Sequence, residues 1–206
     1  MLNQNQQQGK QQPSTQMPPQ MQFGGHELLD ADESIGALVG ALEHCVLYEP
    51  HVQDQELTNM MQRQKTFLSQ LYNTILETMK TGKDPAVKTQ TYNMQAGNNE
   101  SVYGMKPSSP KTPIQTVNEV NDECISGFMI SHLKALSSSF TLAALEATNP
   151  VLRRVFADSI PNTIEMAYEM YLYMNKNGYY QVAQLQQQDM QTIMNSYGPM
   201  QGNMSH

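Results

Sequence analysis

The stretch from Thr148 to Tyr180 constrains the fold more than any other part of the chain. Thr148-Asn149-Pro150 is a complete helix start. Asn149 can offer a side-chain oxygen to the free N–H groups of the first turn, and Pro150 takes the first helical position, where a missing N–H costs nothing. Val151, Val155, Ile164, Tyr168, Tyr171 and Met174 then recur near one helical face, with Phe156 and Leu172 beside them. Lys176-Asn177-Gly178 closes the run with a positive last turn and a glycine stop. The result is a helix of about 28 residues, roughly 40 Å long. A rod of that length can bury its apolar stripe only against rods of similar length, so the chain is expected to form a helix bundle.

Three more long helical patterns precede it. The first runs from about His26 to Tyr48, with Leu28, Ile35, Leu38, Val39, Leu42, Cys45 and Val46 on one side, and Pro50 ends it. The second starts at Asp54 as cap and continues through Leu57, Met60, Met61, Gln64, Phe67, Leu68, Leu71, Ile75 and Met79 to Gly82. The third is expected from about Val117 to Ala147, with Asn118 as cap and Val120, Cys124, Phe128, Leu133, Leu136, Phe140 and Leu145 inward. Between the second and third lies a segment from Lys83 to Gln115 in which Pro107, Pro110 and Pro113 recur every third residue, which suits an extended path. A connection of that length can travel the whole length of a helix, so the second and third helices are expected to run parallel at opposite edges. Two antiparallel hairpins joined by one long crossover make an all-α, ferritin-like four-helix bundle. Two local rules are broken inside the last helix. Pro161 should kink it, and Arg153 and Arg154 place positive charge in its first turn, where packing or a salt link to a neighbouring carboxylate is expected to compensate.

The domain organisation follows from composition. Residues 1–22 are Gln-rich with almost nothing to bury and are expected to be a disordered tail; residues 23–183 form the bundle domain; residues 184–206 form a polar Gln/Met-rich tail with room for one short helix before Gly198-Pro199. The formal net charge is -7, with no basic stripe to neutralise phosphates, so nucleic acid is not an expected partner. The apolar runs are short of a bilayer span and the N-terminus lacks the apolar core of a secretory signal. No membrane insertion is therefore expected, and synthesis is expected in the cytoplasm without a signal peptide. The two cysteines, Cys45 and Cys124, lie on different helices and read as buried thiols rather than a disulfide framework. His44 beside Cys45 does not form a nucleophile–base pair, because adjacent helical residues point about 100° apart.

A ferritin-like bundle raises the question of a metal pair. That site takes a carboxylate from each of two helices and Glu-x-x-His from each of the others. The five histidines are His26, His44, His51, His132 and His206, and three residues before them stand Phe23, Ala41, Tyr48, Met129 and Asn203. None is glutamate, so no metal ligands, no cofactor and no catalytic residues are assigned. Glu43, His44, Glu146, Glu165 and Glu169 remain as single polar groups. Glu165 and Glu169, one turn apart, read as a solvated stripe or as partners for Arg and Lys. The bundle axis is expected to be apolar, without nitrogen and oxygen donors. Tyr179 and Tyr180, just past the glycine stop, are expected to be exposed and suited to anchoring a partner, as are Arg153 and Arg154.

Several segments together resemble the Coat F family of bacterial endospore coat proteins. These are Gly24-Gly25-His26-Glu27, Thr81-Gly82-Lys83-Asp84-Pro85, Tyr103-Gly104-Met105-Lys106-Pro107 and Thr148-Asn149-Pro150-Val151. The run Arg153 to Ser159, Ile164-Glu165-Met166-Ala167-Tyr168-Glu169, and the ending Tyr173-Met174-Asn175-Lys176 with Gly178-Tyr179-Tyr180 belong with them. The resemblance spans about residues 23–185. It implies a ferritin-like domain and a structural place in the spore coat, with other coat proteins and a homo-oligomer as partners. Some members of the family carry Glu and His in the middle of the last helix, at positions that here are Thr163 and Met166. The implied function is a non-catalytic scaffold or interaction protein of the coat. The alternative is a degenerate ferritin-like metal-binding oxidase or manganese-catalase relative.

Overall fold

The computed structural model describes residues 23–200, so the expected disordered tail 1–22 and the last six residues lie outside the described chain. Five helices follow one another: α1 Gly25–Tyr48, α2 Gln55–Thr81, α3 Asp122–Glu146, α4 Pro150–Lys176 and a short α5 Gln187–Met194. No strand occurs among the described residues; one isolated parallel bridge joins Tyr103 and Val182.

The helix ends obey the local chemistry of the chain. Asp54 caps α2 by accepting the Glu56 N–H at 2.8 Å, and α2 stops at Gly82, which adopts φ 65°, a conformation open to glycine. Asn149 accepts the N–H groups of Val151 and Leu152 at 2.9 and 3.0 Å, with Pro150 at the first position. α1 ends before Pro50, in a single tight turn Glu49–His51. α3 starts later than its periodicity suggests. Residues Val117–Glu119 form a separate turn, and Asn121, not Asn118, is the cap, accepting the Cys124 N–H at 3.0 Å. Both asparagines are competent caps, but only Asn121 is followed by two acids, Asp122 and Glu123, in the first turn, where the helix dipole favours them. α4 runs on through Pro161, whose ring lies on the exposed side. Beside it the side chains of Asn162 and Thr163 donate to the carbonyls of Asp158 and Ile160.

The inward faces differ from the apolar-only reading. In α4, Ile164 and Tyr168 point outward at 52% and 36% exposure, while Leu152, Phe156, Thr163, Met166 and Met170 fill the interior. In α1, Leu28 and Val46 are exposed and the buried stripe is Glu27, Ala31, Ser34, Leu38, Ala41 and Cys45. In α3, Phe128 and Leu145 are outside, and Ile125, Met129, Ile130 and Ala143 are inside. Periodicity locates the most apolar arc of a helix. The buried arc is set by where the neighbours stand, and here it includes polar residues that periodicity discounts.

Contacts at the ends fix the topology. Thr148 and Asn149, at the α3–α4 turn, bond to Glu27 at the start of α1; Asn149 also reaches the Gly82 carbonyl at the end of α2. At the opposite end Asp122, opening α3, accepts the N–H groups of Gln53 and Asp54, and the Tyr173 hydroxyl donates to Asp54. α2 and α3 therefore run parallel, α1 and α4 run the other way, and the crossover 83–121 travels the length of the bundle, as its length predicts. Around the bundle axis the order is α1, α2, α4, α3. This is the ferritin-like layout with one long crossover between the second and third helices. α3 is by length and composition able to cross a membrane, which the apolar runs did not foretell; here it packs between α1 and α4, with most of that apolar stretch outside the core.

Candidate functional site: a polar clasp on the α2–α4 face

The core falls into two apolar clusters. One holds Leu38, Leu68, Ile75, Leu136, Phe140 and Phe156; the other is methionine-rich, around Met60, Met61, Met129, Met170 and Tyr173. Between them α2 places Gln64 and α4 places Glu169, at 1% and 0% exposure. The axis at this level is polar, which corrects the expectation of an apolar one. Sequence pattern could not show this, because a polar residue inside an apolar repeat looks like a gap in the stripe.

Glu169 is the centre of the arrangement. Its Oε1 accepts from the Arg63 guanidinium at 2.6 Å and from the Gln95 backbone N–H at 2.7 Å. Its Oε2 accepts from the Tyr92 hydroxyl in a short bond and from Gln64 Nε2 at 3.2 Å. Burial alone would push this carboxyl up. The bonds from Tyr92, Gln95 and Arg63 outweigh it and hold Glu169 below the ordinary carboxylate range. Desolvation, and then the hydrogen bond to and charge of Glu169, push the Tyr92 phenol far above its usual value against the opposing effect of Arg63, so it stays a hydrogen-bond donor. Gln64 Nε2 also bonds the Met166 carbonyl, while Gln64 Oε1 and Arg63 Nε are buried without a protein partner.

Glu169 is one rung of a ladder on α4. Asn162, two turns before it, accepts the Tyr92 N–H at 2.8 Å and donates to the Gln90 carbonyl at 2.9 Å. Asn175, nearly two turns after it, accepts the Val102 N–H at 2.6 Å and donates to the Val102 and Tyr180 carbonyls. α2 contributes Thr74, bonded to the Val87 carbonyl, Glu77, bonded to the Ala86 N–H, and Phe67, edge-on to the Tyr92 ring at 5.4 Å. The crossover is thus strapped into the groove between α2 and α4 by side chains that stand in for a partner strand.

The spacing explains where the strap lies flat. From Asn162 to Glu169 the helix rises about 10 Å, and three extended residues from Tyr92 to Gln95 span about the same. From Glu169 to Asn175 it rises about 9 Å, but seven residues separate Gln95 from Val102, which could span about 23 Å. The surplus bows outward through Gly97 and roofs an open cleft of about 750 Å³ whose walls include Arg63, Asn98, Glu100, Tyr173 and Lys176. Along it Arg63 pairs with Glu169 and Lys176 with Glu56 at 2.7 Å, while Glu100 is in no ion pair among the described residues.

The other sequence candidates lie apart from one another. Glu43, Glu146 and Glu165 are exposed on three different helices. Although Glu165 and Glu169 are one turn apart, the strap covers only Glu169, so it is an arginine partner and Glu165 is solvated. Among the described residues no group of three His, Cys, Asp or Glu side chains is placed to hold a metal ion. Thr163 and Met166 are both fully buried. Cys45 is buried and free, its thiol pushed up by desolvation to about 11, which removes nucleophilic character at neutral pH; Cys124 is half-buried and free. His44 stacks on His132 at 4.6 Å and on Tyr48 at 5.5 Å. Arg153 and Arg154 are exposed and form no ion pair within the described residues, so the expected salt link is not made there. Tyr180 is 38% exposed, edge-on to Tyr171 and under the Lys134 ammonium at 5.3 Å. Tyr179 is half-buried against Tyr173.

Comparison with known proteins places these features. Residues 121–183 match the Coat F domain family model. Over 181 residues the chain is 45% identical to the spore coat protein F-like protein YhcQ of Bacillus subtilis strain 168, covering 88% of this chain and 83% of that protein. A crystal structure from Bacillus halodurans C-125, of a protein assigned provisionally to the spore coat, superposes with a TM-score of 0.56. That match covers 80% of this chain and 95% of the other. At 12% identity it bears on the fold alone.

Proposed function

Because the chain belongs to the Coat F family of spore coat proteins, we propose that it is a structural, non-catalytic component of the bacterial spore coat. In this reading it is a rigid helical block that contributes to coat assembly through protein contacts and resides in the coat. The observation that carries it is the saturation of Glu169. A carboxylate offers about four lone-pair sites, and four donors from its own chain occupy them. The one carboxylate at mid-bundle is committed to holding the strap, with nothing left over to bind an ion or move a proton. The metal-binding oxidase reading draws no support from this geometry. Partner contacts fall instead to exposed groups, among them Arg153 and Arg154 on α4 and the edge of Tyr180.

The test is a fluorescent fusion of the full chain in sporulating cells, with extraction of purified spores. The expected result is a ring of signal at the spore surface and recovery of the protein in the coat fraction. A signal that stays diffuse in the mother cell, with protein absent from that fraction, would overturn the reading. Elemental analysis of the purified chain bears on the enzyme alternative: a stoichiometric transition metal that co-purifies and is lost in Glu169→Gln would reinstate it.

A further inference from the structure

Among the described residues, the α1–α3 side of the bundle has no strap. Along the outward face of α3 stand Phe128, Ser131, Ala135, Ser138, Leu142 and Leu145, spaced alternately by three and four residues. That is the spacing of a seam that meets another helix. All six are exposed, Leu142 at 52% and Leu145 at 78%. Between Glu123 and Glu146 the helix carries a single charge, Lys134. A side chain added at Gly127 would meet nothing within 4 Å among the described residues.

The chain also contains one helix without a seat. α5 has no buried residue, and Ile193, Met194 and Tyr197 are exposed at 54%, 69% and 87%. On α5, Met190, Ile193 and Met194 fall at i, i+3 and i+4, the anchor spacing of a helix that lies in an apolar groove, and Tyr197 follows three residues past the helix end. Its one charge, Asp189, is opposite in sign to Lys134. The chain leaves α4 toward the strap. Val182 bridges Tyr103, its carbonyl accepts the Gly104 N–H at 2.9 Å, and Gln181 accepts the Lys106 N–H. Five residues after Val182, α5 begins, so it is tethered beside the crossover.

We propose that α5 of one copy docks by Met190, Ile193 and Met194 against the Ser131–Leu145 seam of α3 in a second copy. This deepens the structural role proposed above by naming a second copy of this chain as a partner. The contact is heterologous: each copy offers one helix and one seat, so contacts propagate from copy to copy and do not end at a dimer. A helix of eight residues buries less than a standard interface, so each contact is weak and the assembly grows with concentration.

The test uses the full chain and two variants whose changed residues are exposed in the monomer: a tail variant, Ile193→Lys with Met194→Lys, and a seat variant, Leu142→Lys. Circular dichroism and thermal melting first establish that both variants fold as wild type does. In analytical ultracentrifugation, wild type is expected to form species larger than dimers as concentration rises, and each variant alone to stay monomeric. An equal mixture of the two variants is expected to form a 1:1 dimer and nothing larger, because only one good helix and one good seat remain. A wild type that stays monomeric at high micromolar concentration overturns the proposal. So does a face-to-face dimer, disrupted by Leu142→Lys but untouched by the tail change, or a monomer that floats with anionic or neutral lipid vesicles through either surface. Failure here leaves the localisation experiment above unaffected, since a coat protein can be held by other partners alone.

Discussion

The α2–α4 face and the α1–α3 face are made by the same four helices and solve opposite problems. On the first, α4 carries Asn162, Glu169 and Asn175 into a groove that would otherwise admit water, and the crossover supplies the backbone groups that satisfy them. On the second, α3 carries an uncharged seam that is exposed from Ser131 to Leu145 among the described residues, with Phe128 at its start stacked on Tyr48 of α1. The contrast teaches that polarity and burial trade places around this bundle. The polar arc of α4 is buried because a strap was built for it, and an apolar arc of α3 is exposed because none was. Stability should therefore be concentrated on the strapped face and association on the bare one.

The largest expected effect is on the strapped face. Glu169→Gln removes the charge that holds Arg63 and turns one acceptor into a donor facing either Tyr92 and Gln64 or Arg63 and the Gln95 N–H. It should cost on the order of 3 kcal/mol in denaturant unfolding, with Arg63 partly reached by water setting the lower end. Because the folded pKa of Glu169 lies below its ordinary value, its contribution is fully present above about pH 4.5 and is lost as pH falls through the depressed folded value. The variant should lack that acid transition. An unfolding free energy unchanged within error would break the comparison at once.

Tyr92→Phe comes next. It keeps the ring against Phe67 and removes one bond to a charged acceptor, for an expected loss of about 1.5–2 kcal/mol. Hydrogen exchange should show residues 90–102 opening before the helices do; uniform exchange across strap and bundle would mean the strap is not a separate unit.

The unstrapped side titrates instead. Burial, and then the neighbouring His44, lower the pKa of His132 below 6.5. A depressed pKa means the folded state resists protonation, so stability is full above pH 6.5 and falls as pH drops through the folded value. His132→Gln should flatten the melting temperature against pH in that window, whereas a profile as steep as wild type would place the titration elsewhere.

The smallest effect is expected from Leu142→Lys. At an exposed seam position it should shift monomer stability by no more than about 0.5 kcal/mol while removing self-association. A larger loss of stability would show that the seam already packs against its own chain.

The helices were legible because their ends are local chemistry. Asp54 with Gly82, and Asn149-Pro150 with Gly178, bracket two of them within a residue or two. The one displaced start, at Asn121, reflects two competent caps three residues apart, between which the chain chose by the acids that follow. The length of the crossover likewise dictated parallel α2 and α3. The clasp was not legible. Glu169 was visible as a possible arginine partner, but Tyr92, Gln95, Asn162 and Asn175 lie scattered over more than eighty positions, and nothing local ties a loop tyrosine to a helix carboxylate.

The sequence by itself determined how many rods there are, where they start and stop and how they are strung, since caps, prolines, glycines and segment lengths act over a few residues. Only the tertiary structure decided which face of each rod is inside and which polar groups are worth burying. A buried carboxylate is stable only when donors distant in sequence arrive together around it, and that convergence exists only once the bundle and its strap are assembled.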